Sequence, residues 1–149
     1  EKMGKLITDL GVIPEIEAFD TGHLWYAKEL VSKGILESPA LIQLCMGIPW
    51  GAPNDLNTFL AMVNNVPQNW TWSAFSLGKN QMPYVAAAVI AGGNVRVGLE
   101  DNLMLSKGTL ATNESLVEKA VKIIENLGGK ILKPHEVRKK LNLKKRAPN

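Results

Sequence analysis

Gly92-Gly93-Asn94-Val95-Arg96-Val97-Gly98-Leu99-Glu100-Asp101-Asn102 reads as one short strand, opened by two glycines and closed by a loop. Side chains alternate between the faces of a strand. Val95, Val97 and Leu99 therefore share one side, and Arg96, Gly98 and Glu100 the other. An apolar side is what a strand covered by helices requires. A cation, a gap and a carboxylate on the opposite side are costly to bury unless they pair with one another or bind something. Asp101 adds a second carboxylate where the strand ends. The bland alternative is a salt-bridged interior; the stretch is read here as an active-site strand.

Outward from this stretch, strands alternate with helices. Ile13 to Phe19 reads as a strand, followed by a helix from about Gly22 to Lys33 that Gly34 closes. Leu41 to Met46 is an almost wholly apolar strand of the kind buried on both faces. The turn-rich loop Gly47 to Asn54 leads to Asp55, which suits the N-cap of a helix ending near Asn65, before Pro67. Trp70 to Leu77 is the third strand, and Pro83 to Ala91 a helix of small residues. After the opening stretch, Glu114 to Leu127 carries apolar residues at three-to-four spacing, with Asn113 as its cap and Gly128 as its stop. Pro134 opens a last short helix, His135 to Leu141.

Four βα units in succession predict parallel strands. Either an open doubly wound sheet or half of a (β/α)₈ barrel accommodates them. No Gly-x-Gly-x-x-Gly follows a strand, which leaves the dinucleotide-binding sheet without support. Ile13, Glu15, Glu17 and Phe19 share one side of the first strand, so two strands bring carboxylates to a common interior, as TIM barrels do at their C-terminal rim. The α/β class is thus expected as a TIM barrel. With Glu1 to Leu10 resembling the tail of a helix and no initiator Met, the chain 1–149 is expected to be the C-terminal half of one barrel domain.

Composition narrows the function classes. The chain has 149 residues, 46% hydrophobic and 21% charged, ordinary for a soluble globular domain. No apolar run approaches the roughly 18 residues of a membrane span, so no membrane partner is expected. The single cysteine, Cys45, excludes an internal disulfide framework and fits a reducing, cytoplasmic setting. It lies in an apolar run with no histidine nearby in sequence and reads as a packed thiol. The net charge of +3 owes much to Arg138-Lys139-Lys140 and the basic tail 142–149. No aromatic residues interleave with these cations, so they are expected to form a solvated helix end and tail, with no nucleic-acid partner.

Pro14-Glu15-Ile16-Glu17-Ala18-Phe19-Asp20, Leu77-Gly78-Lys79-Asn80-Gln81 and Val95-Arg96-Val97-Gly98-Leu99-Glu100-Asp101-Asn102, in that order, closely resemble the C-terminal half of the β-keto acid cleavage enzymes. The best-known member is 3-keto-5-aminohexanoate cleavage enzyme. The resemblance runs through Lys133-Pro134-His135-Glu136-Val137-Arg138 and so covers nearly the whole chain. It implies a zinc-dependent (β/α)₈ barrel that condenses a β-keto acid with acetyl-CoA and releases acetoacetate and an acyl-CoA. Within it, Glu100 looks like the carboxylate ligand of Zn²⁺, Asp101 the base and Arg96 its partner. The family's other two zinc ligands form a His-x-His pair on an early strand, which His23 and His135 do not reproduce; they are expected from the N-terminal half, the implied partner. The family also implies a homo-oligomer, commonly a tetramer.

The chemistry is consistent with these residue types. A divalent zinc accepts carboxylate oxygen and keeps an open position for substrate. Asp101 could remove the proton between ketone and carboxylate, and Arg96 would lower its pKa. By analogy Glu17 meets the variable end of the keto acid, where a carboxylate suits an ammonium group; parity does not choose between Glu15 and Glu17. Gly78 and Lys79 end the third strand, where barrels often hold phosphates, and could meet CoA. His23, beside Asp20 and Thr21, reads as a helix-capping residue or as a support behind the site, in preference to a metal ligand. Trp25, Trp50, Trp70 and Trp72 read as packing or subunit contacts, with Trp50 a further pocket-lining candidate. Two other functions remain open: a metal-dependent barrel lyase or aldolase working through an enolate without CoA, and an inactive half-barrel interaction module.

Overall fold

A computed structural model of the chain describes residues 1–143. It is an α/β structure. After helix α1 (Lys2–Asp9) come strand β1 (Glu15–Ala18), helix α2 (Thr21–Ser32), strand β2 (Leu41–Met46), helix α3 (Leu56–Asn65) and strand β3 (Thr71–Ser76). A 3₁₀ turn (Gly78–Asn80) runs into helix α4 (Gln81–Ile90), and strand β4 (Asn94–Val95) follows. A small hairpin, β5 (Met104–Ser106) and β6 (Thr109–Leu110), precedes helices α5 (Asn113–Asn126) and α6 (Pro134–Lys140). The strands β1-β2-β3-β4 form one parallel sheet in sequence order. The expected basic tail 142–149 lies largely outside the described residues.

Alternation sorts the sheet into two unlike faces. Ala18, Ile42, Leu44, Met46 and Ala74 point to one side and form a continuous core with Leu24 and Ala27 of α2, Phe59 and Met62 of α3, and Tyr84 and Ala88 of α4. Burying each large side chain there contributes roughly 1.5–3 kcal/mol. The edge-on stack of Phe59 against Tyr84, 5.4 Å between centroids, adds directional packing. On the opposite face the register aligns Glu15 with Leu41 and Thr71, then Glu17 with Gln43, Ser73 and Asn94. That face is mainly polar. A second apolar cluster, built on Met82, Val85, Leu116, Ala120 and Ile124, ties α5 to α4 and receives Val95, Val97 and Leu99.

Local chemistry accounts for the boundaries. Asp20 and Asp55 cap α2 and α3 by accepting from His23 N and Thr58 N, at 3.0 and 2.9 Å. Pro14, without an N–H, stands outside the ladder, which makes β1 shorter than the expected Ile13 to Phe19. Helix α4 begins at Gln81, before the expected Pro83, because proline is tolerated where first-turn N–H groups have no intrahelical acceptor. The cap of α5 is Thr112, in a reciprocal box with Ser115, and not the expected Asn113. Asn113 has other work: its Oδ1 accepts from Leu99 N at 2.9 Å.

The largest departure concerns the expected fourth strand, of which only Asn94–Val95 joins the sheet. Its neighbour β3 runs on through Phe75 and Ser76, beyond Ala74, the partner of Val95, so the segment parts from the ladder while β3 still continues. Arg96 N still reaches Ala74 O, at 3.4 Å. Beyond it the chain is held by Gln81 Nε2 and Asn102 N, which both donate to Gly98 O, at 3.1 Å each. The alternation survives the loss of the ladder: Val95, Val97 and Leu99 pack on the α4–α5 cluster while Arg96 turns the other way.

Candidate active site

The polar face of the sheet converges at its C-terminal end on Arg96. Its Nε and Nη2 donate to Asp101 Oδ2 and Oδ1, at 3.1 and 3.3 Å, a two-pronged pair. Nη2 also donates to Glu100 Oε2 at 2.7 Å. Nη1 donates to Gln43 Oε1 at 2.8 Å and makes a longer contact with Glu17 Oε1, at 3.5 Å. Phe75 supports the guanidinium from the sheet, with Arg96 Cζ 4.3 Å from the ring centroid. Residues far apart in sequence, from Glu17 to Asp101, thus meet around one cation.

The surroundings of the three carboxylates differ. The Asp101 side chain is 5% exposed, that of Glu17 38% and that of Glu100 81%. Burial pushes the Asp101 carboxyl above its usual range, Arg96 pulls it down, and Glu100 raises it further. Arg96 lowers it, as expected, but the net direction is upward because desolvation outweighs the ion pair. An aspartate so placed is a stronger base than one in water. Glu100, past the end of the extended segment, has one oxygen on Arg96 and no recorded bond at the other among the described residues. Among the described residues Arg96 is the only cation that pairs with these three carboxylates.

The backbone of this corner is fixed by its neighbours. Gly78 adopts φ +61°, favourable only for glycine, and its N–H donates to Asp101 O at 2.7 Å. That N–H is therefore already engaged. Exposed Lys79 lines the same shallow cleft as Gly78, Leu99, Glu100, Asp101 and Asn102. Asn102 locks the turn by bonding both the N–H and the C=O of the Met104 region, at 3.0 and 2.7 Å.

Other expectations resolve individually. Glu17 and not Glu15 reaches Arg96; Glu15 lies two residues nearer the opposite end of the sheet, in a cleft with Leu132, Val137 and Leu141. Cys45 is buried, but on the polar face, below Arg96; burial first, then Glu17 and Asp101, push its thiol up to about 12. His23 Nδ1 accepts from Phe19 N at 3.1 Å, a local brace at the start of α2. Trp70 is buried, Trp72 packs against the core, and Trp25 and Trp50 are exposed, Trp50 completely. Among the described residues no group of three or more His, Cys, Asp and Glu is arranged to hold a metal ion, and no helix is long and apolar enough to cross a membrane.

Gln43, Phe75, Gln81 and Asn113 take part in the site or its support without having been read as site residues in the sequence. For Gln43 a signal existed: it is the one amide in the apolar run Leu41 to Met46. Nothing comparable marks Phe75, whose ring meets Arg96 only through the register of β3 with β4.

A family model described as beta-keto acid cleavage enzyme matches residues 1–143. The chain belongs to this family. Among curated relatives, 3-dehydrocarnitine:acetyl-CoA trimethylamine transferase of Rhizobium meliloti is 70% identical over 97% of this chain and 48% of that protein. A 3-keto-5-aminohexanoate cleavage enzyme of Fusobacterium nucleatum is 36% identical over 97% of this chain and 53% of that one. The 3-oxoadipate:acetyl-CoA acetyltransferase of Cupriavidus necator is 31% identical, over 87% and 47%. The chain spans about half the length of the curated family members it matches.

Proposed function

We propose that this chain is the C-terminal half of a (β/α)₈ barrel which, completed by an N-terminal half, condenses a β-keto acid with acetyl-CoA and cleaves the product to acetoacetate and an acyl-CoA. The observation that carries it is the gathering of Glu17, Glu100 and Asp101 around Arg96 at the C-terminal end of a parallel sheet. Such ends are where α/β enzymes place their chemistry. Open edges at β1 and β4 and a polar face on the four-stranded sheet suit a structure that a further half completes.

Asp101 takes the proton from the carbon between ketone and carboxylate. Its raised basicity serves that step, and the Arg96 fork aims both carboxylate oxygens while keeping them ionised. The carbanion adds to the acetyl carbon, CoA passes across within the adduct, and carbon–carbon cleavage releases the two products. The donor set fits a divalent metal: three carboxylates gather around one guanidinium, and Glu100 projects with one oxygen not spoken for. Glu100 would hold Zn²⁺ together with two histidines from the N-terminal half, and the bound ion supplies Lewis-acid polarisation of the keto oxygen. Lys79 would meet CoA phosphates, with Gly78 shaping the turn that presents it. We place the enzyme in the cytoplasm as a homo-oligomer.

For the substrate, Glu17 is the deciding residue. Its loose contact with Arg96 leaves a partly exposed carboxylate beside the guanidinium, and the relative at 70% identity is named for 3-dehydrocarnitine, whose far end is a trimethylammonium group. A β-keto acid with a cationic end is therefore the proposed substrate class. The test is acetyl-CoA-dependent turnover of 3-dehydrocarnitine against an uncharged 3-keto acid of similar length. The whole protein should favour the cation, and Glu17→Gln should lower kcat/KM for the cation roughly tenfold or more while sparing the neutral compound. Turnover that proceeds without acetyl-CoA would instead mark a lyase and end the proposal.

A further inference from the structure

Gln43 stands at the centre of β2 and is 8% exposed. A buried amide is costly unless it is bonded, and its Oε1 accepts the shortest bond made by Arg96 Nη1, at 2.8 Å against 3.5 Å to Glu17. The β1–β2 register sets Glu17 directly beside it. A guanidinium is a planar fork with five donors and can turn any edge to a carboxylate. With only Glu17, Glu100 and Asp101 as acceptors, three like charges would compete for its edges. An acceptor without charge fixes the Nη1 corner and adds no fourth carboxylate. Phe75 beneath the plane removes tilt but leaves in-plane rotation to the acceptors.

We infer that Gln43 is a positioning residue. Its Oε1 holds Arg96 Nη1, so that the Nε–Nη2 edge stays on Asp101 and Glu17, kept at a longer contact, is left for the cationic end of the substrate. The consequence for turnover rests on the proposed activity; the placement of Arg96 does not.

Two readouts separate these. In the whole protein that carries this chain, Gln43→Met keeps the length of the side chain without an acceptor, Gln43→Asn keeps the amide but is too short, and Gln43→Glu restores an acceptor. Nitrogen-15 NMR of the Arg96 guanidinium should show restricted rotation in the native protein and in Gln43→Glu. Rotation should be fast in Gln43→Met and Gln43→Asn. In step with this, kcat should fall roughly ten- to hundredfold in Met and Asn, as misplacement of a catalytic group predicts, with KM for acetyl-CoA unchanged. Restricted Arg96 rotation in Gln43→Met, or free rotation in Gln43→Glu, overturns the inference. So does unfolding of both Met and Asn variants, since that makes Gln43 a folding residue. Absence of any acetyl-CoA-dependent turnover in the native protein would sink the activity and leave the NMR comparison to decide Gln43.

Discussion

At the residue scale, the Arg96–Asp101 pair is where burial and charge oppose one another most directly. Asp101 is nearly enclosed and its carboxyl sits above the ordinary range in spite of a two-pronged guanidinium. Asp101→Asn keeps the shape and removes the base. It should lower kcat by roughly 10² to 10⁴, the usual contribution of a general base, with little change in KM, as read by steady-state kinetics. A variant retaining more than a tenth of native kcat would take the proton transfer away from this residue. Cys45 offers an independent check on the enclosure below the site. With its thiol pushed up to about 12, it should resist iodoacetamide at pH 8.5 in the native protein and react once the chain is unfolded in urea. Prompt native-state labelling, read by mass spectrometry, would show that the polar face is open to solvent at that depth.

At the scale of elements, the site depends on contacts that hold the ends of β3 and β4 together. Gly93, just before β4, lies against the Trp72 ring so closely that an added Cβ would stand 2.1 Å from Trp72 Cζ3. Gly93→Ala therefore forces the ring or the strand to move and should cost about 1–3 kcal/mol, the usual range for overpacking. The thermal midpoint should drop and the distance of Arg96 from Asp101 should grow, so activity falls further than stability alone predicts. An unchanged midpoint would mean that Trp72 swings away freely. The same scale shows how the sequence could be both right and wrong about the opening stretch. Its alternation correctly assigned Val95, Val97 and Leu99 to the apolar side. Its length as a strand was overstated: pairing stops after Val95 although β3 runs on to Ser76, and farther along Gly98 O bonds to Gln81 and Asn102 and Leu99 N to Asn113 instead of to a ladder.

At the scale of the molecule, an open parallel sheet with one polar face and a chain half as long as its relatives fit a barrel that this chain does not close by itself. On the proposed reading, zinc belongs to the assembled barrel. Whole protein carrying Glu100→Ala should lose its zinc, measured by inductively coupled plasma mass spectrometry after dialysis, and chelation of the native protein should abolish turnover reversibly. Full zinc occupancy in Glu100→Ala would remove this residue from the proposed ligand set. Hydrogen exchange gives the matching structural observation. Backbone amides of Glu15–Ala18 and Asn94–Val95, at the sheet edges, should become strongly protected when the N-terminal half is present, and equal protection with and without it would argue against closure there.

By itself the sequence determined the alternation of strands and helices apart from the β5–β6 hairpin, the cap at Asp55, and the apolar sides of the first and fourth strands with carboxylates facing away from them. These are local properties, set by periodicity, capping chemistry and backbone stereochemistry within a few residues. Only the tertiary structure decided that Glu17 and not Glu15 meets Arg96, that Gln43 and Phe75 hold the guanidinium, and that burial outweighs the ion pair at Asp101. Each of those depends on strand register and on how much water the fold excludes from one carboxyl, quantities that arise only when distant segments pack.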